Sequence, residues 1–394
     1  MVNFFKISIA SLLIFTGSAF YFQSSTTAGI LSNNFGSDKT QSIPGIRSSS
    51  SSKMEESSST TKFSWIPTKS LQKDPEALCQ SIPQMAKDTD FATAVIQAWK
   101  EEEAEMKANH GENISSETRQ IQYQDVTDGA TLYGHLIRTQ SPATTTTDNN
   151  KKQKVPGVLL FHTGAGPHDI SLLWKADLLA CNTQIFPKGC VILVVDILGD
   201  DIGWGWSADR TNYNRARSVV LQQDDESSGK RPLLQSRIRA ALTALQEAAS
   251  DEVDMNSLAA LGWCLGGHSI LELGRMKVPG IKAMITFHGV FDGLPAPPDN
   301  DSVPPVQQQE SGVSDILICH GQLDPFVPQS NLKPALETLR HFGHTVRLLE
   351  LEGAKHGFSN PAQDFNPNQA FAYHDGAAKV SWSETTKLLQ KIFA

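Results

Sequence analysis

The stretch that decides the fold is LGWCLGGHS, residues 261–269, in which Cys264 lies two residues after Gly262 and two before Gly266. The apolar segment SLAALGW precedes the cysteine and a helix-like segment follows, so we predict a strand, a sharp turn and a helix. A direct passage from strand to helix strains the turn residue and leaves room only for glycine beside it. The turn would lift the Cys264 thiol above the sheet edge, at a helix N-terminus that favours a thiolate.

On both sides of this turn, residues 117–394 alternate between apolar runs and amphipathic stretches. The runs VPGVLLFH, CVILVVDIL, IKAMITFHG, DILICHG and TVRLLELEG are typical of parallel strands covered on both faces. RQIQYQDV and TLYGHLIRT instead alternate as half-buried antiparallel strands do. Helical periodicity is clearest in PLLQSRIRAALTALQEAA. Strands alternating with helices predict an α/β fold, with a mostly parallel central sheet flanked by helices.

Two later loops supply an acid and a histidine. Asp324 follows the predicted strand DILICHG, and His356 lies in a glycine-flanked loop after TVRLLELEG. The order nucleophile, acid, histidine is that of the α/β-hydrolase triad. Because the carboxyl ends of parallel strands meet at one edge, we expect Cys264, Asp324 and His356 to lie together. In that arrangement His356 would take the thiol proton and Asp324 would orient the imidazole.

Backbone N–H groups would complete such a site. The turn directs the N–H of Leu265 toward the place where an oxyanion would form. The glycine-rich turn HTGAGPHD, after the first parallel strand, offers a second N–H from Gly164 or Ala165. In the same turn, Asp169 is placed to cap the following helix, and the two interpretations are compatible.

The other histidines receive structural interpretations. His162, His288 and His320 follow predicted strands, where they would line the pocket or satisfy backbone groups. His268 falls in the helix after Cys264. The remaining ones are predicted to lie on the surface or in loops: His110, His135, His168, His341, His344 and His374.

These motifs resemble those of the dienelactone hydrolase family, within the α/β hydrolases. The resemblance covers residues 117–394 and rests on GWCLGGH, HGQLDPFVP and EGAKHGF, each in the expected place. It implies a Cys–Asp–His triad at Cys264, Asp324 and His356. It also implies a thioester acyl-enzyme and hydrolysis of small esters, lactones or thioesters, with no metal or organic cofactor.

Two positions depart from the dienelactone-cleaving members of that family. Those members carry a Glu directly after the strand-end histidine, where this chain has Thr163. They also carry an Arg four residues after the catalytic histidine, where this chain has Asn360. The Glu is associated with activating the thiol and the Arg with holding a substrate carboxylate. The departures therefore question dienelactone as the substrate and leave the reaction type intact.

Several alternatives stay open at this point. A peptidase or acyltransferase on the same fold would share these motifs, and a non-catalytic binding protein would keep the fold. The net charge of −8 comes without a basic stripe, which argues against a nucleic-acid partner. The insertions at 200–230 and 294–312 interrupt the domain, and the first is either a lid or a surface excursion.

The N-terminal part has the composition of a targeting sequence. Residues 1–19 are predicted to be a signal peptide, with an apolar run after Lys6 and small residues at 17–19. Residues 20–64 are rich in Ser and Thr and too polar to fold. With Phe20 after the cleavage site, the arrangement resembles the two-part plastid presequence of algae with complex plastids. Plain secretion and an uncleaved anchor are the alternatives, and no later stretch is long enough to span a bilayer.

Two further features precede or accompany the main domain. Residues 74–110 are predicted to form a helical extension on the main domain, because Ala92, Ile96 and Trp99 recur at helical spacing. We assign this extension no chemistry.

The chain has four cysteines besides Cys264. They could form two disulfides in any of three pairings, but buried thiols are the favoured interpretation. They are Cys79, Cys181, Cys190 and Cys319.

Overall fold

The structure is a computed structural model that covers most of the predicted domain. It describes residues 64–71, 96–101, 103–104, 114–140, 153–199, 210–225, 228–294 and 312–394. The predicted signal peptide, almost all of the Ser/Thr-rich tract, most of the 74–110 extension and Cys79 lie outside the described residues. Residues 200–209 and 295–311 of the two insertions also lie outside them.

One nine-stranded sheet forms the centre of the described chain. Its strands are β1 (Ile66–Pro67), β2 (Ser115–Gln124), β3 (Thr131–Gln140), β4 (Val155–Phe161), β5 (Val191–Val195), β6 (Val253–Trp263), β7 (Ile281–Phe287), β8 (Asp315–Gly321) and β9 (Thr345–Leu351). They lie in the order β1-β2-β3-β5-β4-β6-β7-β8-β9. The pairs β1–β2, β2–β3 and β3–β5 are antiparallel and the remaining pairs are parallel. The predicted mostly parallel sheet is therefore confirmed.

Helices cover both faces of this sheet. They are α1 (Thr68–Leu71), α2 (Ile170–Ala180), α3 (Thr211–Val220), α4 (Pro232–Ala248), α5 (Gly266–Met276), α6 (Gln329–His341) and α7 (Asp375–Phe393), with a 3₁₀ helix at Pro361–Phe365. Helices α2 and α7 pack into one hydrophobic core, and α4, α5 and α6 pack into a second. Along β4, Val158 and Leu160 face the first core while Leu159 and Phe161 face the second. Burial on both faces explains why these strands are continuously apolar.

Part of the predicted N-terminal extension is visible on this domain. Residues 96–101 are helical, and Trp99 is only 2% exposed. Its ring lies 5.3 Å from that of Trp174 in α2, measured between centroids. None of the described helices is both long and apolar enough to cross a membrane.

The prediction of a surface or loop position is wrong for His135, whereas His344 lies in a loop as predicted but is buried. His135 is buried in β3, with Nε2 2.7 Å from Nδ1 of His168. His344 is buried before β9, where Nδ1 accepts from the N–H of Ser314 and Nε2–H donates to the Gly274 carbonyl oxygen. Hydrogen bonds reach both ring nitrogens of His344 and Nε2 of His135, and such bonds are what allows a histidine to be buried.

The three described cysteines away from the turn at Cys264 are buried, free thiols, as expected. They are Cys181, Cys190 and Cys319. Burial raises the pKa of Cys190 and of Cys319 well above the usual thiol range. These thiols are therefore held in their neutral, unreactive form.

Candidate active site

Cys264 occupies the turn between β6 and α5. Its φ is 50°, in the left-handed region that non-glycine residues rarely adopt. A Cβ at Gly262 would lie 2.5 Å from the carbonyl oxygen of Gly266, and one at Gly266 would lie 2.6 Å from that of Phe161. Both positions therefore require glycine, and the predicted strand, turn and helix are confirmed.

The structure brings Cys264, His356 and Asp324 together at the carboxyl edge of the sheet. Nε2 of His356 lies 3.1 Å from Sγ of Cys264. Nδ1 of the same ring lies 2.7 Å from Oδ2 of Asp324. Both distances are within hydrogen-bonding range, so the imidazole links the thiol to the carboxylate.

Local contacts hold the acid and the histidine in this arrangement. Oδ1 of Asp324 accepts a hydrogen bond of 2.9 Å from the N–H of Phe326, which leaves Oδ2 for His356. The His356 ring makes edge contacts with Phe326 and Phe371, with centroids 5.0 and 5.2 Å away. The backbone N–H of His356 donates to the carbonyl oxygen of Ala370. These contacts restrict both side chains to one orientation.

The charges of the site favour an ionised pair. Burial would raise the pKa of Cys264, but the His356 charge and hydrogen bond, together with the N–H groups of Gly164 and Leu265, lower it overall. Burial would likewise lower the pKa of His356, but the Cys264 thiolate and Asp324 raise it to about 10. A thiolate and an imidazolium are therefore favoured over a neutral thiol and imidazole, so the proton expected to move to His356 already resides there.

The sequence left open whether Gly164 or Ala165 supplies the second backbone N–H, and the structure distinguishes the two. The N–H groups of Leu265 and Gly164 lie near the Cys264 sulfur and lower the pKa of its thiol. The N–H of Ala165 instead donates to Oγ1 of Thr163, at 3.0 Å. Of the two alternatives in this loop, Gly164 therefore directs its N–H at Cys264 and Ala165 does not.

Thr163 braces the loop that carries Gly164. Its hydroxyl donates to Oδ2 of Asp169 at 2.9 Å and accepts from the Ala165 N–H. Oδ1 of Asp169 accepts from the N–H and the hydroxyl of Ser171, at 3.0 and 2.8 Å, and so caps α2. The threonine that replaces the glutamate of the dienelactone-cleaving enzymes thus has a structural partner in this chain.

An open pocket lies beside Cys264, with an empty volume of about 630 Å³ that includes the part open to solvent. Its aromatic lining consists of Trp99, Trp174, Trp263 and Phe371. Its size is that of a small-molecule site.

The polar lining of this pocket comes mainly from the loop after β9 and from α2. Asn360 lines the pocket, and its side chain accepts from the N–H of Ala362 to begin the 3₁₀ helix. The cation on the lining is Lys175, whose ammonium lies 5.2 Å from the ring centroid of Trp382. Asn360 thus shapes the loop beside the pocket, whereas the ammonium group on the lining belongs to Lys175 of α2. Among the described residues, no group of three His, Cys, Asp or Glu side chains could hold a metal ion.

Two further side chains, Tyr213 and His288, lie at the site. Tyr213 of α3 packs against Gly164, since a Cβ there would meet its hydroxyl at 2.9 Å. Burial and the nearby Cys264 thiolate raise the pKa of Tyr213 to about 12. His288 has a φ of 42°, and its ring centroid lies 4.8 Å from that of His356. Its place after a strand marked His288 as a possible pocket residue, whereas nothing local distinguished Tyr213 within the first insertion.

Comparison with known proteins agrees with this fold. The solved structure of m3DLH aligns with a TM-score of 0.53 and 25% identity, over 71% of this chain and 99% of that one. A dienelactone hydrolase-like promiscuous phosphotriesterase, P91, from metagenomic libraries aligns with a TM-score of 0.51 and 25% identity, over the same shares. The fold and the turn at Cys264 therefore define an α/β hydrolase.

The family follows from the sequence profile. The sequence profile of the dienelactone hydrolase family matches residues 143–393, which is more than half of the chain. This chain belongs to the dienelactone hydrolase family. An uncharacterized protein of Caenorhabditis elegans is 28% identical over 171 residues, 43% of this chain and 99% of that relative.

Proposed function

We propose that this protein hydrolyses small activated esters, lactones or thioesters with Cys264 as the nucleophile. His356 serves as the acid and base, and Asp324 orients the imidazole. The observation that carries the proposal is the chain of two hydrogen bonds, 3.1 and 2.7 Å long, that links Cys264 through His356 to Asp324. A thiolate at a strained turn beside an open pocket is the arrangement of an acyl-transfer nucleophile.

The reaction would proceed in two halves. The Cys264 thiolate attacks the carbonyl carbon, and the N–H groups of Leu265 and Gly164 stabilise the resulting oxyanion by about 3 kcal/mol each. The tetrahedral intermediate collapses, the bond to the leaving group breaks, and His356 gives its proton to that group. His356 then removes a proton from water, which attacks the thioester carbonyl. The carboxylic acid and the thiolate are released, and the proton remains on His356.

The lining of the pocket supports a substrate other than dienelactone. The position occupied by a carboxylate-holding Arg in the dienelactone-cleaving enzymes is Asn360 here, and its side-chain oxygen is already used by the Ala362 N–H. Thr163 is likewise committed to the loop through Asp169 and Ala165. Asn360 and Thr163 therefore suit a neutral ester, lactone or thioester better than a lactone that carries a free carboxylate.

The test is a substrate panel with the purified chain starting at residue 64. The panel holds an activated ester, a thioester, a small lactone, dienelactone, a peptide and, because P91 is a promiscuous phosphotriesterase, a phosphate triester. We expect turnover of the first three, lost in Cys264→Ala. Turnover of the peptide alone, or transfer to an added alcohol without hydrolysis, would replace this proposal by a peptidase or an acyltransferase. No covalent labelling of Cys264 and no turnover would indicate a binding protein.

We also propose that residues 1–19 direct the chain into the secretory route and that 20–64 direct the next step, to a plastid or outside the cell. The proposal is supported by the apolar run, the small residues at 17–19 and Phe20. A fluorescent fusion of residues 1–64 tests it, with Phe20→Ala as the variant for plastid import. A purely cytosolic signal would reject both routes, and unchanged import of Phe20→Ala would reject the role of Phe20.

A further inference from the structure

The pocket beside Cys264 has an aromatic wall that joins two distant parts of the chain. Trp174 comes from α2 and Trp263 from the end of β6, while Trp99 comes from the helical residues 96–101. The rings of Trp99 and Trp174 are tilted by 41°, with centroids 5.3 Å apart. Trp99 is 2% exposed, so its ring is held against the domain.

Trp99 lies outside the part of the chain that defines the family. The family match begins at residue 143, whereas Trp174, Trp263 and Cys264 all lie within it. Ile96, one helical turn before Trp99, packs against the same core as α2. The N-terminal extension therefore supplies one wall of a pocket whose reactive groups come from the family domain.

Two buried polar atoms on the same pocket lack a hydrogen-bond partner among the described residues. They are Nε1 of Trp174 and Nδ1 of His288, and both residues line the pocket. Buried polar atoms in folded proteins are nearly always paired.

We propose that Trp99 is a specificity-determining residue that selects esters carrying an aromatic ring on the acyl or the alcohol part. This inference rests on the proposed function, since the pocket is the one beside the Cys264 nucleophile. A flat ring placed against the tilted pair of Trp99 and Trp174 makes offset or edge contacts with both. A saturated ring of similar size gains the apolar contact but not the aromatic one.

The expected size of the effect follows from aromatic pairs in proteins. Such pairs contribute enough beyond their buried area to change a dissociation constant by about fivefold. We therefore expect phenyl esters to bind about fivefold more tightly than the matching cyclohexyl esters. The preference would disappear when the ring at position 99 is removed.

The experiment measures equilibrium binding to Cys264→Ala, which cannot turn the ligands over. Ethyl phenylacetate is compared with ethyl cyclohexylacetate, and 2-phenylethyl acetate with 2-cyclohexylethyl acetate, by calorimetry. Each comparison is repeated with Trp99→Leu and Trp99→Phe added. Trp65→Leu is the matched control, because Trp65 stacks under Arg119 and Arg138 and packs against the other core.

The proposal requires a phenyl preference in at least one ester pair, its loss in Trp99→Leu and its survival in Trp65→Leu. Equal binding of phenyl and cyclohexyl esters in both pairs overturns it, as does a preference that survives Trp99→Leu. If Trp99→Leu does not fold, Trp99→Phe provides the test. The ratio by which phenyl esters bind more tightly than cyclohexyl esters should then fall about twofold, and an unchanged ratio would overturn the proposal. Because binding is measured without turnover, these results are separate from the hydrolysis test of the proposed function.

Discussion

Cys264 follows β6 and Cys319 lies in β8 of the same sheet, yet the pKa of the first thiol is lowered and that of the second is raised. Cys319 is buried within β8, and burial raises its pKa because it disfavours the charged thiolate; the charges of Arg347 and Glu384 act in opposite directions. Burial also acts on Cys264, but His356 and the N–H groups of Gly164 and Leu265 outweigh it and lower the pKa. The comparison teaches that the turn and its partners, and not burial, decide which thiol has the lowered pKa.

Removing each thiol in turn should give the largest difference in activity between the two positions. Cys264→Ala should lower kcat/KM for an ester by at least about 1,000-fold, because no other group can form the acyl-enzyme. Cys319→Ala should keep activity and lose about 1 kcal/mol of unfolding free energy through the small cavity it leaves. Steady-state kinetics and thermal unfolding check both. Near-normal turnover in a stable Cys264→Ala chain would contradict the triad.

Alkylation of the wild-type chain measures the contrast directly. Near pH 6 an ordinary thiol is about 0.3% thiolate, so Cys264, whose pKa is lowered, should react faster than a free thiol, while Cys319 stays unlabelled in the folded chain. Because the pKa of Cys264 is lowered, its labelling should stay fast through neutral pH and slow only below that pKa. Mass spectrometry of peptides after iodoacetamide treatment gives the rates. A rate that rises through pH 8 to 9 like that of a free thiol would show that the ion pair is absent.

Asp324→Asn tests the contribution of His356 to the lowered pKa of Cys264, because Asp324 holds and charges the imidazole. We expect kcat to fall on the order of 100-fold with a smaller change in KM, because the imidazole loses its orientation and its counter-charge. The pKa of His356, about 10 in the native chain, should fall, which moves the alkaline limb of the pH–rate profile to lower pH. Asp315→Asn is the control, since Asp315 lies at the other end of β8 and pairs with Lys391. A rise in KM alone would make Asp324 a pocket residue.

Thr163→Val should have the smallest effect on the site. It removes the hydroxyl that accepts from the Ala165 N–H and donates to Asp169, so the loop that carries Gly164 loses its brace. We expect kcat/KM to fall about tenfold, while Thr163→Ser keeps most activity because it retains the hydroxyl. Kinetics of the two variants on one ester measure this difference. Equal activities of the Val and Ser variants would show that the hydrogen bonds of the Thr163 hydroxyl do not support the site.

Much of the fold and of the reactive centre could be predicted because each depends on local patterns. Apolar runs of strand length predicted the parallel strands, and the glycines around Cys264 predicted the sharp turn. Asp324 and His356 were predicted because each follows a strand, and strand ends meet at one edge. The roles assigned to these residues stay predictions until the variants are measured.

The rest could not be predicted because it depends on contacts between distant segments. Trp99 meets Trp174 only after the domain has folded, and Tyr213 reaches Gly164 from an insertion with no distinctive motif. The choice between Gly164 and Ala165 required the position of the Thr163 hydroxyl. His135 was placed on the surface because a single histidine in an alternating strand does not reveal the His168 ring that covers it.

The φ of 50° at Cys264 has a consequence for the evolution of this chain. A left-handed backbone is unfavourable for a residue with a Cβ by about 1–2 kcal/mol, whereas glycine adopts it freely. Cys264→Gly should therefore melt at a higher temperature than Cys264→Ala, although both lack the thiol. Selection for stability alone would place glycine at position 264. The chemistry that we propose for Cys264 therefore comes at the expense of stability.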